Sequence, residues 1–203
     1  MGAEAACTVT VGRRRIAGKA LLETSELLFR SPELRLKVPF ASITSAEAKG
    51  GRLVVAWDGE RATFELGNLA ERWAVKIRNP KSVIEMLGVK SGQRVAVLGI
   101  TDAAFLAALR ERAATVSNGR VMKECDAIFL GAEDLAGLKR IPTLLPYLTR
   151  DGAIWTVTPK GKGGVKDTDV MAAGKRAGLA DVKVVSFSAT HSANKFVVPK
   201  AAR

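Results

Sequence analysis

Three stretches of this chain hold residue types that could do chemistry. The first, residues 158–169, reads TPKGKGGVKDTD. Gly161, Gly163 and Gly164 let backbone come close to a ligand, and Lys160 and Lys162 bring positive charge. The stretch runs from a predicted strand toward a predicted helix start, with Asp167 or Thr168 as its cap, where backbone N–H groups and the helix dipole favour an anion. It is not a P-loop, because its GK lacks the following Ser or Thr and the upstream glycine spacing. Lys160, Lys162, Gly163 and Gly164 are therefore the anion-binding candidates, weighed against a plain solvated connection.

The second stretch, residues 94–113, reads RVAVLGITDAAFLAALRERA: a buried strand, a one-glycine turn and a helix opening at Thr101 or Asp102. A turn that cradles adenosylmethionine or a dinucleotide uses two or three glycines, with an acidic residue about 20 positions on for the ribose hydroxyls. Here Gly99 stands alone, and the next strand ends on Ser117 and Asn118. No cofactor is expected on this reading. A cleft at the carboxyl ends of the strands remains the place for a ligand, and its rim is expected to include Gly99, Thr101, Asp102, Gly131 and Thr158, beside Glu133, Asp134 and Lys160. Thr101 and Asp102 also suit helix capping.

The third stretch is ATHSANKF, which carries His191, the single histidine. A catalytic dyad there needs a partner from elsewhere in the chain. No GxSxG elbow occurs, one histidine cannot make a multi-histidine metal site, and Cys7 and Cys125 lack CxxC spacing. No catalytic residue and no metal ligand is assigned.

The elements that must position these residues fall into two halves. From Cys7 to Leu66 short alternating runs are punctuated by turn residues, most clearly RLVVAW and RATFEL around Asp58-Gly59, which suits a tight primed turn. At Asn68, read as a helix cap, the period changes to about 3.6, with Leu69, Ala70, Trp73, Ala74 and Ile77 on one stripe. A second helical segment, KSVIEML, leads to Gly88. Beyond it, strands alternate with helices: RVAVLG, ATVS, DAIFLGA and AIWTVTP, with helical stretches at 102–112, EDLAGLKRI and DTDVMAAGKRAG. That alternation predicts a mostly parallel sheet covered on both faces. The last strands, VKVVSFS and KFVV, are joined too closely for a parallel crossover and are expected to form an antiparallel hairpin. Two domains follow, 1–88 and 89–203.

Residues 5–87, several short strands closed by one amphipathic helix, resemble the pleckstrin-homology-like and GRAM-like barrels. The antiparallel ending and the turn in LLPYLTRDGAIWTV are similar to Rossmann-like methyltransferases. Residues 86–199 more closely resemble an uncharacterised bacterial domain family with a truncated form of that architecture. The resemblance implies a fold and no reaction.

The formal net charge is +12 in 203 residues, spread over both halves without a run of five or six basic residues. Such a balance biases a protein toward anionic partners and also keeps it soluble. No apolar run reaches the roughly 18 residues of a membrane span, and the N-terminus lacks a signal-peptide layout. A cytoplasmic protein is expected. The leading reading is a non-enzymatic binding or scaffolding module that takes an anionic ligand or a protein partner. The rival is a small-molecule, methyltransferase-like transferase using the cleft. Electrostatic nucleic-acid binding, and lipid-headgroup binding through Arg13, Arg14 and Arg15, are weaker alternatives.

Overall fold

The computed structural model describes residues 2–161 and 165–199. By its internal contacts the chain divides into two compact units, Met1–Lys81 and Ser82–Arg203.

The first unit is a meander of seven strands: β1 (Ala3–Val11), β2 (Arg14–Leu22), β3 (Glu26–Arg30), β4 (Arg35–Pro39), β5 (Ile43–Lys49), β6 (Arg52–Trp57) and β7 (Glu60–Glu65). They form one curled antiparallel sheet in the order β4-β3-β2-β1-β7-β6-β5, a half-barrel with β4 and β5 at its edges. The period of two puts Leu53 and Val55 of β6 and Ala62 and Phe64 of β7 on the inner face, all fully buried. Phe29 and Phe64 meet edge to face at 6.3 Å. Asp58 and Gly59 both adopt positive φ, 44° and 81°, as the primed turn between alternating runs requires. Helix α1 (Leu69–Arg78) closes the core with Ala70, Trp73, Ala74 and Ile77. Asn68 is not the side-chain cap its sequence position suggests: its backbone is already helical, and its side chain makes no capping bond.

The second unit begins with α2 (Val83–Leu87), started by a reciprocal box in which the Glu85 N–H donates to Ser82 Oγ and the Ser82 N–H to the Glu85 carboxylate. The sequence pattern places this segment with the first half. In the structure Ile84 and Leu87 join the core of the second unit, whose first member is Ser82.

Its remaining elements are β8 (Arg94–Leu98), α3 (Ala103–Arg112), β9 (Thr115–Asn118), β10 (Cys125–Gly131), α4 (Leu135–Leu138), α5 (Ile141–Leu144), β11 (Leu148–Pro159), α6 (Asp167–Arg176), β12 (Ala180–Ser186) and β13 (His191–Val197). The expected single helix EDLAGLKRI is instead two four-residue helices, α4 and α5, with Pro142 admitted in the first turn of α5 where its missing N–H costs nothing. The mixed sheet has the order β12-β13-β11-β10-β8-β9, parallel from β9 to β11 and finished by the antiparallel β13 and β12.

Both faces of this sheet are covered. Val95, Val97, Phe129, Trp155 and Val157 pack with α2 and α3, and Ala96, Leu98, Ile128, Leu130 and Ile154 pack with residues of α4, α5 and α6. Burial on both sides is why these strands read as unbroken apolar runs. Gly174 of α6 lies against the Phe196 ring, where a Cβ would overlap it. Among the described residues no helix is long and apolar enough to cross a membrane.

Candidate functional site

Strand order decides where this sheet opens. After β8 the chain crosses through α3 to β9 on one side, whereas β10 lies on the other side of β8 and leads to helices on the opposite face. Connections that depart to opposite faces leave a crevice at the carboxyl ends of the two strands. A cavity of about 370 Å³ occupies that place, in the range of small-molecule pockets. Its walls come from three loops: Gly99 to Asp102 after β8, Gly131 and Glu133 after β10, and Phe187 to His191 between β12 and β13.

Of the residues picked out in the sequence, Gly99, Thr101, Asp102 and Gly131 line this cleft together. The two glycines sit where two chain segments nearly touch. Gly99 has φ +69°, and a Cβ on Gly131 would run into the Gly99 carbonyl oxygen. Asp102 is the cap of α3, its Oδ1 accepting from the Phe105 N–H at 2.9 Å. That bond satisfies one of the orphan donors of the helix and fixes the loop that forms the wall. Phe105 in turn holds the Phe187 ring edge-on at 4.8 Å, joining the loop after β8 to the β12–β13 connection.

Thr158 does not line the cleft. It is 2% exposed, and alternation along β11 places it with Ile154 rather than with Trp155 and Val157, toward the face covered by α6. Lys160 is also absent from the wall. Its Nζ donates to Ser186 Oγ at 2.7 Å and to the Ser188 carbonyl at 2.6 Å, tying the end of β11 to the β12–β13 connection. Lys162, Gly163 and Gly164 lie outside the described residues. The helix after them is not capped by Asp167 or Thr168: Lys166 holds the cap position, and its N–H donates to Asp169 Oδ2 at 3.3 Å.

The residues that sequence reasoning left unjoined are Glu133, Thr190 and His191. His191 Nε2 lies 3.2 Å from Glu133 Oε1, and its Nδ1 lies 2.9 Å from Thr190 Oγ1. The His191 N–H and the Thr190 N–H both donate to Ser188 Oγ, so one hydroxyl sets the backbone of this corner. In the tautomer that carries the ring proton on Nε2, that N–H donates to Glu133 and Nδ1 accepts from the Thr190 hydroxyl. Carboxylate, imidazole and hydroxyl thus stand in line on the rim. Among the described residues no group of three or more His, Cys, Asp and Glu could hold a metal ion.

No family model matches the chain, and no curated protein matches it. Solved structures do. The N-terminal PH domain of human ARAP2 is 11% identical over 39% of this chain and 77% of that one, with a TM-score of 0.33. A putative type 11 methyltransferase from Sulfolobus solfataricus is 11% identical over 57% of this chain and 88% of its own, with a TM-score of 0.44. Aeropyrum pernix fibrillarin, in complex with natively bound S-adenosyl-L-methionine, is 13% identical over 94% and 99% of the two chains, with a TM-score of 0.42. These are likenesses at low identity, with each of the three TM-scores below 0.5.

The expectation that no cofactor is involved is corrected by these comparisons, since structures similar to this chain carry S-adenosyl-L-methionine. The residues present fit that group only in part. The cleft has the volume for a small molecule, but β9 ends without a carboxylate for ribose hydroxyls, Ser117 Oγ donating instead to the Arg120 carbonyl at 2.8 Å.

Proposed function

We propose that the second unit is a small-molecule transferase domain acting in the cleft at the carboxyl ends of β8 and β10. The observation that carries this reading is the line Glu133–His191–Thr190 on the cleft rim, with separations of 3.2 and 2.9 Å. An acceptor hydroxyl or amine bonded to Thr190 Oγ1 passes its proton through that hydroxyl to His191 Nδ1. The acceptor atom bonds to the transferred group, and the donor departs with the electron pair of the broken bond. Glu133 holds the ring in the needed tautomer and stabilises the imidazolium, an arrangement worth roughly 10²–10⁴ in rate when a proton moves in the transition state.

The first donor to test is S-adenosyl-L-methionine, which similar solved structures bind. Calorimetry of the full chain gives its affinity, and transfer of a labelled methyl group to a panel of phenols, catechols and amines gives activity. The reading requires binding, transfer by the natural chain, and loss of transfer with retained binding in His191→Ala. No heat at millimolar donor together with no transfer rejects it.

A non-enzymatic binding module is the second reading. It is favoured by the Gly99–Gly131 contact, which turns both glycines toward each other, and by Asp102, whose carboxylate serves α3. Under that reading a ligand binds the cleft, and His191→Ala and Thr190→Val change affinity alone.

A further inference from the structure

On the α2-covered face of the second unit, away from the cleft, two lysines stand directly opposite each other on neighbouring strands. Lys183 of β12 is the register partner of Lys195 of β13, so both side chains leave the same face of the sheet. Directly opposed residues of an antiparallel pair have Cα atoms about 4.5–5.5 Å apart, and like charges so placed repel.

Flexible surface lysines relieve such repulsion by turning away from each other. These two are anchored. Lys183 Nζ donates to the Met86 carbonyl near the end of α2 at 2.8 Å, and Lys195 Nζ sits over the Trp155 ring, 5.7 Å from its centroid. Among the described residues no carboxylate lies within ion-pair distance of Lys183, Lys195 or Lys90. Partial burial, then the positive charges of Lys183 and Lys90, hold the Lys195 ammonium below the ordinary lysine value.

We propose that Lys183 and Lys195 form an anion site beside α2 that binds a single phosphate group, as inorganic phosphate or as the headgroup of a small phosphorylated molecule. One tetrahedral anion between adjacent strands accepts from both held ammonium groups and removes their repulsion. A small ligand is favoured over a polyanion because Lys195 is partly buried, and a nucleic-acid backbone reaches only exposed cations.

The test is thermal melting of the full chain in inorganic phosphate against chloride at matched ionic strength, with glycerol phosphate and duplex DNA as further arms. Binding to the folded state alone raises the melting temperature with ligand concentration. The site predicts a rise in phosphate that Lys183→Gln together with Lys195→Met weakens by about tenfold or more in apparent affinity. Lys160→Ala leaves the rise intact. A larger rise in glycerol phosphate than in phosphate identifies a phosphorylated molecule as the source. Amide spectra of the natural chain titrated with phosphate give the same answer without a variant, with shifts expected at residues 183 and 195. No rise beyond chloride, an undiminished rise in the double variant, shifts centred elsewhere, or DNA binding tighter than phosphate at these same amides each overturns the proposal.

Discussion

The two units bury a sheet by different means, and the difference shows in what their cavities can offer a ligand. The half-barrel has a cavity of about 340 Å³ between the β5 edge and the end of α1, and its one charged wall residue, Arg78, lies 3.5 Å from Glu71. All its neighbouring strands run antiparallel, and where its connections meet, as Gly51 does with Leu66 and Gly67, they bond through backbone groups. In the mixed sheet the order of the strands reverses at β8, with β9 on one side and β10 on the other, and the loops after β8 and β10 meet the β12–β13 connection with Asp102, Glu133, Thr190 and His191 among them. A site with titratable groups thus arises from strand order, not from apolar content.

The comparison breaks most severely if the units are not independent, and each holds one free cysteine to report on that. Burial raises both thiols above their ordinary value, and alkylation of the fully buried Cys125 in the mixed sheet follows opening of its core, whereas the half-buried Cys7 in the half-barrel reports opening as an acceleration over its native rate. Phe129→Ala, at a fully buried site, is expected to cost about 3–5 kcal/mol and to speed alkylation of Cys125 while Cys7 keeps its rate. Phe64→Ala should do the reverse. Equal acceleration of both cysteines in either variant means one cooperative core.

A smaller effect sharpens the role of the loop after β8. Asp102→Ala removes the cap of α3 and is expected to cost about 0.5–2 kcal/mol in urea unfolding followed at the second unit. It should also weaken any cleft ligand, because the same carboxylate fixes the wall. An unchanged midpoint would mean that water replaces the cap without loss.

The smallest change is expected in the half-barrel. Arg15 pairs with Glu65 at 3.0 Å on the exposed surface, and Arg15→Ala should move its unfolding by about 0–1 kcal/mol, with the effect shrinking in high salt. A loss of several kcal/mol would give the basic stretch at residues 13–15 a structural role this account does not contain.

Much of this contrast was legible in the sequence because it depends on local chemistry. The Asp58-Gly59 turn, the change of period near residue 68, the Asp102 cap and the antiparallel ending all follow from residues within a few positions of one another. Asn68 misled because a capping residue type says nothing of the backbone angles it will take. Thr158 was misplaced because β11 is buried on both sides, so its apolar run carries no alternation to tell one face from the other. SVIEML belongs to the second unit through contacts of Ile84 and Leu87 with residues far along the chain. Glu133 and His191 stand 58 positions apart. Only strand order brings them together, and neither residue's neighbours announce the other.

The central claim is that the opening between β8 and β10 is the working site. Its most direct test is an amide spectrum of the full chain titrated with S-adenosyl-L-methionine. The account expects concentration-dependent shifts confined to residues 99–102, 131–133 and 187–191, diminished in the Asp102→Ala variant, with the half-barrel amides unmoved. Shifts centred on the half-barrel cavity, or spread evenly over both units, would contradict it.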